Sequence, residues 1–280
     1  MKKLVIAAAF ALAACGQTTT SETGPALELY AMNCGEFDVS DMDVFADDGS
    51  YAGQQASMVD TCYLIRHPDG DLIWDTGVPE AWADIPEGVS SPPFTLKMPI
   101  TLTAQLAELG LTPEDIELAS ISHSHFDHVG NANLFAHATW ILDEDERAFM
   151  FRDEERASDN FANFNQIENA ETRIIPDDED YDVFGDGSVV LIAAPGHTPG
   201  HRVALVRLPQ TGPVLLAGDL WHFHESADPR RVPRFNTDHD ETIAAMDKIE
   251  ALAHETGAKV VMQHVRADFE SLPPFPEPAR

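Results

Sequence analysis

The chain has 280 residues, 44% of them hydrophobic, which is enough for one well-buried core and near the upper size for a single domain. Seventeen lysines and arginines face 48 acidic residues, and the formal net charge of -31 repels phosphate backbones and argues against a nucleic-acid partner. With 8% aromatic residues, and with 19 prolines and 17 glycines in no period, the composition is that of a folded protein rather than a disordered or collagen-like one.

At the start of the chain, Lys2 and Lys3 precede an apolar run from Leu4 to Ala14. This is the pattern of a secretory signal, too short for a permanent membrane span. The run closes on Leu12-Ala13-Ala14-Cys15-Gly16, which resembles the lipobox of bacterial lipoproteins and makes Cys15 the expected lipid anchor. An ordinary signal cut nearby, with Cys15 lost, is the alternative. Residues 16–25 then read as a flexible polar tether and residues 26–280 as one domain. The expected location is the periplasm or the outer membrane. Such a compartment permits a Cys34–Cys62 disulfide, although two separate buried thiols fit the sequence as well.

Short apolar runs closed by turn residues predict strands at Ala26 to Met32, Ser57 to Ile65 and Leu72 to Trp74. Helical spacing from Ile100 to Leu109 stops at Gly110, Thr112-Pro113-Glu114-Asp115 opens another helical turn, and Ile116 to Ser122 reads as a strand. From Asp143 to Gly187 the chain is crowded with carboxylates and reads as a solvated helical excursion without chemistry. Strands follow at 189–194, 203–206 and 214–217, then a helix from Glu241 to Glu255 stopped by Gly257, and a strand at 259–262. Strands with flanking helices in both halves predict an α+β fold, a four-layer αββα sandwich.

Directly after the strand ending at Ser122 comes His123-Ser124-His125-Phe126-Asp127-His128. Three imidazoles and a carboxylate cannot be buried in six positions without compensation, and a metal ion supplies it economically. Imidazole and carboxylate suit zinc and its first-row neighbours. Three later segments also place histidine or aspartate after an apolar strand. These are Pro195-Gly196-His197-Thr198-Pro199-Gly200-His201, Gly218-Asp219 and Gln263-His264. Each is weak alone, and together with the cluster they form a strong signal.

The combination of His-x-His-x-Asp-His, Pro-Gly-His-Thr-Pro-Gly, a strand-terminal Gly-Asp and a late His resembles the metallo-β-lactamase fold superfamily. The likeness spans about residues 26 to 270 and includes Asp75-Thr76-Gly77. Within the superfamily it is most similar to the N-acyl-homoserine lactonase group. The resemblance implies two divalent ions, zinc first among the metals that suit such ligands. It implies that His123, His125 and His197 hold one ion, that Asp127, His128 and His264 hold the other, and that Asp219 bridges them. It further implies a lactonase in which a metal-bridging hydroxide attacks the ester carbonyl, with Asp127 receiving or passing a proton. Asp75 and His201 would orient ligands through hydrogen bonds.

One position departs from that pattern. Lactonases of this group usually carry a tyrosine three residues beyond the bridging aspartate, and here that place is taken by His222. An imidazole N–H can donate the same hydrogen bond to substrate, so His222 is a candidate catalytic residue, while His224 reads as a residue of the surface or one that supports a ligand from behind. Trp82, Phe94, Met98, Trp221 and Phe223 are candidates for an apolar pocket wall. The alternatives are hydrolysis of another ester, a thioester or a β-lactam. A catalytically silent metal-binding surface lipoprotein is the reading outside enzymology.

Overall fold

The computed structural model describes residues 27–176 and 179–280. The expected signal segment, Cys15 and the tether lie outside the described residues. Within them, the first sheet has eight strands, β1 (Glu28–Val39), β2 (Ala56–His67), β3 (Gly70–Trp74), β4 (Val89–Ser91), β5 (Phe94–Lys97), β6 (Leu118–Ser120), β7 (Thr139–Asp143) and β8 (Thr172–Ile175). Their order across the sheet is β4-β5-β1-β2-β3-β6-β7-β8. The second sheet has the order β13-β12-β11-β10-β9, formed by β9 (Tyr181–Asp182), β10 (Val189–Ala193), β11 (Arg202–Leu208), β12 (Gly212–Leu216) and β13 (Lys259–Val261). Five α-helices lie among the described residues: α1 (Leu102–Glu108), α2 (Glu144–Met150), α3 (Asp153–Arg156), α4 (His239–Thr256) and α5 (Arg266–Phe269).

Strand alternation explains the layering. On β2, Tyr63 and Ile65 face the second sheet, while Cys62 and Leu64 face the other way toward α1. On β11, Ala204 and Val206 face the first sheet, and Val203 and Leu205 pack on α4 through Ala245, Met246 and Ile249. Three apolar layers therefore separate helix, sheet, sheet and helix, and the αββα sandwich is the observed fold. Helix α4 begins where the Asp238 carboxylate accepts the Glu241 N–H and ends at Gly257, whose φ of +66° is a left-handed cap. No helix among the described residues is long and apolar enough to cross a membrane.

Cys34 and Cys62 are bonded, with their Cα atoms 5.7 Å apart, and so staple β1 to β2. Closing a loop of 28 residues' separation stabilises the fold by about 3–4 kcal/mol in the chain-entropy view.

The acidic stretch from Asp143 corrects the expectation of a solvated helix. Its opening residues are part of the interior. Asp143 caps α2 by accepting the Asp145 and Glu146 N–H groups, and it pairs with buried Arg202, whose Nε lies 2.8 Å from Oδ2. Glu146 is 1% exposed and serves the site described next. The sequence pattern concealed this because four successive carboxylates read as surface, whereas the helix turns only the first and fourth inward.

Candidate metal centre

Every residue of the centre follows a strand at one edge of the sandwich: Asp75 after β3, His123 to His128 after β6, His197 and His201 after β10, Asp219 after β12 and His264 after β13. β3 and β6 run parallel, as do β12 and β13, so these loops emerge on the same side and converge. Two groups form there. His123, His125, His197 and Asp219 make one, and Asp127, His128 and His264 the other.

In the first group, His125 Nδ1 lies 2.8 Å from His123 Nε2 and 3.1 Å from His197 Nε2. Ligand nitrogens around a tetrahedral zinc sit about 3.3 Å apart, given zinc–nitrogen bonds of about 2.0–2.1 Å. Asp219 joins the groups through its two oxygens. Oδ1 faces His128 Nε2 at 3.3 Å and His264 Nε2 at 3.0 Å, while Oδ2 faces His197 Nε2 at 3.4 Å and His123 Nε2 at 3.7 Å. Asp127 completes the second group, its oxygens 3.9 Å from His128 Nε2 and 3.8 Å from His264 Nε2.

The far side of each ring is fixed by neighbours. His264 Nδ1 donates to the Val59 carbonyl at 2.9 Å, and His128 Nδ1 meets the Asp75 carboxylate at 3.1 Å, so in each case the Nε2 lone pair points into the centre. Asp75 also accepts from the Ser122 N–H and hydroxyl, which holds the start of the histidine cluster. It adopts φ +59°, an unusual conformation for a residue with a side chain and one that these bonds maintain. His201 Nε2 accepts the Asp219 N–H at 3.1 Å while its Nδ1 meets the Ala194 carbonyl. Both expected orienting residues therefore sit where they can act.

Glu146 is a site residue that the sequence pattern did not single out. One of its oxygens accepts the Ser124 N–H and hydroxyl at 2.7 and 2.6 Å, and the other accepts the Thr198 hydroxyl at 2.6 Å and the Gly200 N–H at 3.2 Å. It staples the loop carrying His123 and His125 to the loop carrying His197. The approach is so close that a Cβ on Gly200 would lie 2.3 Å from the Glu146 nitrogen. The spacing of Asp143 and Glu146 after a strand was the available signal, since it is that of a helix cap and a first-turn carboxylate.

Electrostatics divide the centre. Burial holds the His123 and His125 imidazoles well below their usual value. Burial also opposes charge on His128 and His264, but nearby carboxylates, Asp219 foremost, outweigh it, raising His128 well above its ordinary value and His264 to about 9. Burial would raise Asp219, yet His264, His128, His222 and His123 hold it well below the carboxylate range. Asp127 is pushed up by burial, and Asp60 beside it is pushed well above its usual value by burial and by the Asp127 charge. Burial lowers His222 to about 4 and His201 to about 3.

Do these residues fit a metal pair? His128 Nε2 and Asp219 Oδ1 are buried and only 3.3 Å apart, yet neither has a hydrogen-bond partner. Buried polar atoms that converge without bonding to one another are aimed at a common guest, and imidazole with carboxylate is a first-row metal's donor set. The residues fit.

The centre forms the floor of a cavity of about 290 Å³ walled by Phe37, Phe45, Met58, Phe94, Phe126 and Phe235. His125, Asp127, Asp219, His222 and His264 line its polar end. His222 Nε2 is 3.0 Å from Asp219 Oδ2. Of the expected wall residues only Phe94 is in place. Met98 and Trp221 are core, Trp82 lines a neighbouring cavity with Phe126, and Phe223 packs edge-on against Phe45. Aromatic residues after strands look alike in sequence, and which of them faces a cavity is set by packing. His224, by contrast, is a surface residue as expected, paired with Asp268 at 2.9 Å.

Residues 59–264 match the metallo-beta-lactamase superfamily. The chain belongs to that superfamily. It is 31% identical over 226 residues to the N-acyl homoserine lactonase AttM of Azorhizobium caulinodans, covering 76% of this chain and 83% of that one. An N-acyl homoserine lactonase of Bacillus cereus is 28% identical over 225 residues, 77% of this chain and 85% of its own. The metallo-β-lactamase fold is also that of a solved N-acyl homoserine lactone hydrolase with the product N-hexanoyl-L-homoserine bound at its catalytic metal center. That structure has a TM-score of 0.74 and 24% identity over 91% of this chain and 100% of its own. The dizinc quorum-quenching lactonase AidC superposes with a TM-score of 0.62 and 19% identity, covering 90% and 89% of the two chains.

Proposed function

We propose that this protein is a dinuclear zinc hydrolase that opens the ring of an N-acyl homoserine lactone or a closely related lactone. The observation that carries the reading is the shared Asp219 carboxylate, one oxygen toward each histidine group, at the floor of an aromatic-walled cavity. Homology to N-acyl homoserine lactonases supports the substrate class. His123, His125, His197 and Asp219 would hold one ion, and Asp127, His128, His264 and Asp219 the other. When bound, the ions supply water activation near neutral pH and polarisation of the ester carbonyl.

The chain's own residues do the rest. Phe37, Phe45 and Phe94 take an acyl chain out of water and leave the lactone at the polar end. Asp127, at that end, takes a proton released there and returns it to the departing alkoxide oxygen. His222 is neutral at pH 7, because burial takes it down to about 4, and its N–H is the hydrogen-bond donor for the substrate at the cavity edge. In this structure that single N–H, on Nε2, lies against Asp219, so it steadies the shared carboxylate until substrate takes the hydrogen bond.

From Lys2, Lys3 and the lipobox-like Leu12 to Gly16 we further propose that the mature protein lies outside the cytoplasm, tethered by a lipid on Cys15 through residues 16–25. A Cys34–Cys62 disulfide is consistent with an oxidising compartment. Mass analysis of the membrane fraction tests the anchor, since a lipid-free mature N-terminus beyond Cys15 would overturn it.

The activity test is ring opening of short-chain and long-chain acyl homoserine lactones by zinc-loaded protein, with a plain δ-lactone and a β-lactam alongside. Preferred opening of the homoserine lactones is expected. If those rings stay closed while another substrate is cleaved, the hydrolase centre stands and the lactone assignment falls.

A further inference from the structure

Asp60, on β2, is fully buried, and neither of its carboxylate oxygens has a hydrogen-bond partner. It lies in the middle of a cross-link to the His264 loop. On one side of it the Val59 N–H donates to the His264 carbonyl and the Val59 carbonyl receives His264 Nδ1; on the other the Thr61 hydroxyl donates to the Gln263 carbonyl. Strand alternation turns Asp60 to the face shared by Met58, a cavity-wall residue, and by Cys62. Opposite it stands Gly35, where a Cβ would come within 3.0 Å of the Asp60 Cβ and 3.2 Å of Oδ2, so the absence of a side chain makes the space.

A buried carboxylate without a partner costs several kcal/mol, and an apolar residue would suit the position better. No lysine or arginine is among the principal charges acting on it. Those are Asp127 and Asp75, which repel it, and His264 and His128, which attract it. Three of the four belong to the second ligand group, and the fourth, Asp75, orients it. Compensation for its charged form therefore comes from the centre itself. Two divalent ions carry four positive charges against the three negative charges of Asp127, Asp219 and Asp75, and a further buried negative charge offsets the excess.

We propose that Asp60 is a positioning residue for the metal centre, a buried negative charge that strengthens the hold on the ion at Asp127, His128 and His264. The inference rests on the dinuclear reading given above. Its role parallels that of Asp75 but works without a hydrogen bond to any ligand.

The test compares the mature wild-type protein with Asp60→Asn and, should that variant fail to fold, Asp60→Val, which fills the same space with apolar groups. Cobalt(II) and zinc affinities are measured by chelator competition, cobalt coordination by its visible spectrum, and melting of the metal-free proteins by calorimetry. One of two ions is expected to be held about 10- to 100-fold more weakly, the range found for residues that support ligands from behind. The cobalt bands of one position should be lost while those of the other persist. Metal-free Asp60→Val is expected to melt at or above the wild type, since a buried carboxyl group without a partner has gone. Variants that hold both ions with wild-type affinity overturn the Asp60 proposal alone. A wild-type protein that takes up fewer than two ions overturns the dinuclear reading and this proposal with it.

Discussion

Substituting Glu146 separates the two arms of the three-histidine group without touching a ligand. In Glu146→Ala, the Ser124 and Gly200 N–H groups and the Ser124 and Thr198 hydroxyls lose their acceptor together. The hydroxyls can rotate toward other partners, but the backbone donors cannot. Two buried unsatisfied N–H groups cost about 1–3 kcal/mol each, about 2–6 kcal/mol together. For a domain of this size each kcal/mol moves the melting point by about 2–4 °C, so the metal-free variant should melt at least about 4 °C lower. Because Ser124 lies between His123 and His125, and Thr198 follows His197, the ion at these histidines should also be held less tightly. Glu146→Gln should be intermediate, retaining one acceptor oxygen while its amide N–H groups face other donors. Calorimetry of the metal-free protein and metal analysis after dialysis read both effects. A melting point and a metal content equal to those of the wild type in Glu146→Ala would refute the stapling role.

Asp75→Asn should weaken metal retention about 10- to 100-fold with a smaller loss of stability, because the His128 ring loses its carboxylate partner, and dialysis against graded chelator measures it. Asp219→Ala should strip both ions, since both groups lose an oxygen, and full retention by elemental analysis would remove the shared role. His222→Ala should keep both ions yet lower turnover on lactone, and unchanged kinetics would make His222 a bystander. The same variant carries a pH signature in the metal-free state. His222 in the fold sits at about 4, below the ordinary 6.5, so its contribution to stability is present above about pH 6.5 and lost as pH falls toward 4. Relative to the wild type, metal-free His222→Ala should therefore gain about 3 kcal/mol over that interval, read as diverging denaturant midpoints; parallel curves would show that the ring is not held neutral.

Much of this protein is written locally. The strand runs on β2, β10 and β12, the α4 helix with its Gly257 stop, and the histidine-rich turns at strand ends follow from alternation, capping and turn chemistry. These are properties of neighbouring residues. The ligand types and their places after strands were legible for the same reason, as were Asp75 and His201. What the sequence by itself could not decide depends on residues far apart in the chain and close in space. Glu146 reads as one more surface carboxylate until the fold brings Ser124 and Thr198 to it across 22 and 52 positions. The bond between Cys34 and Cys62 depends on a Cα separation that only the pairing of β1 and β2 sets. Phe37, Phe45 and Phe235 become a cavity wall, and Trp221 core, through packing between layers. Asp60 looks like an ordinary polar residue in a strand, and only the tertiary structure shows it fully buried beneath the ligands. Patterning along the chain fixes which elements form and what they carry, whereas burial and charge compensation exist only once the elements have met.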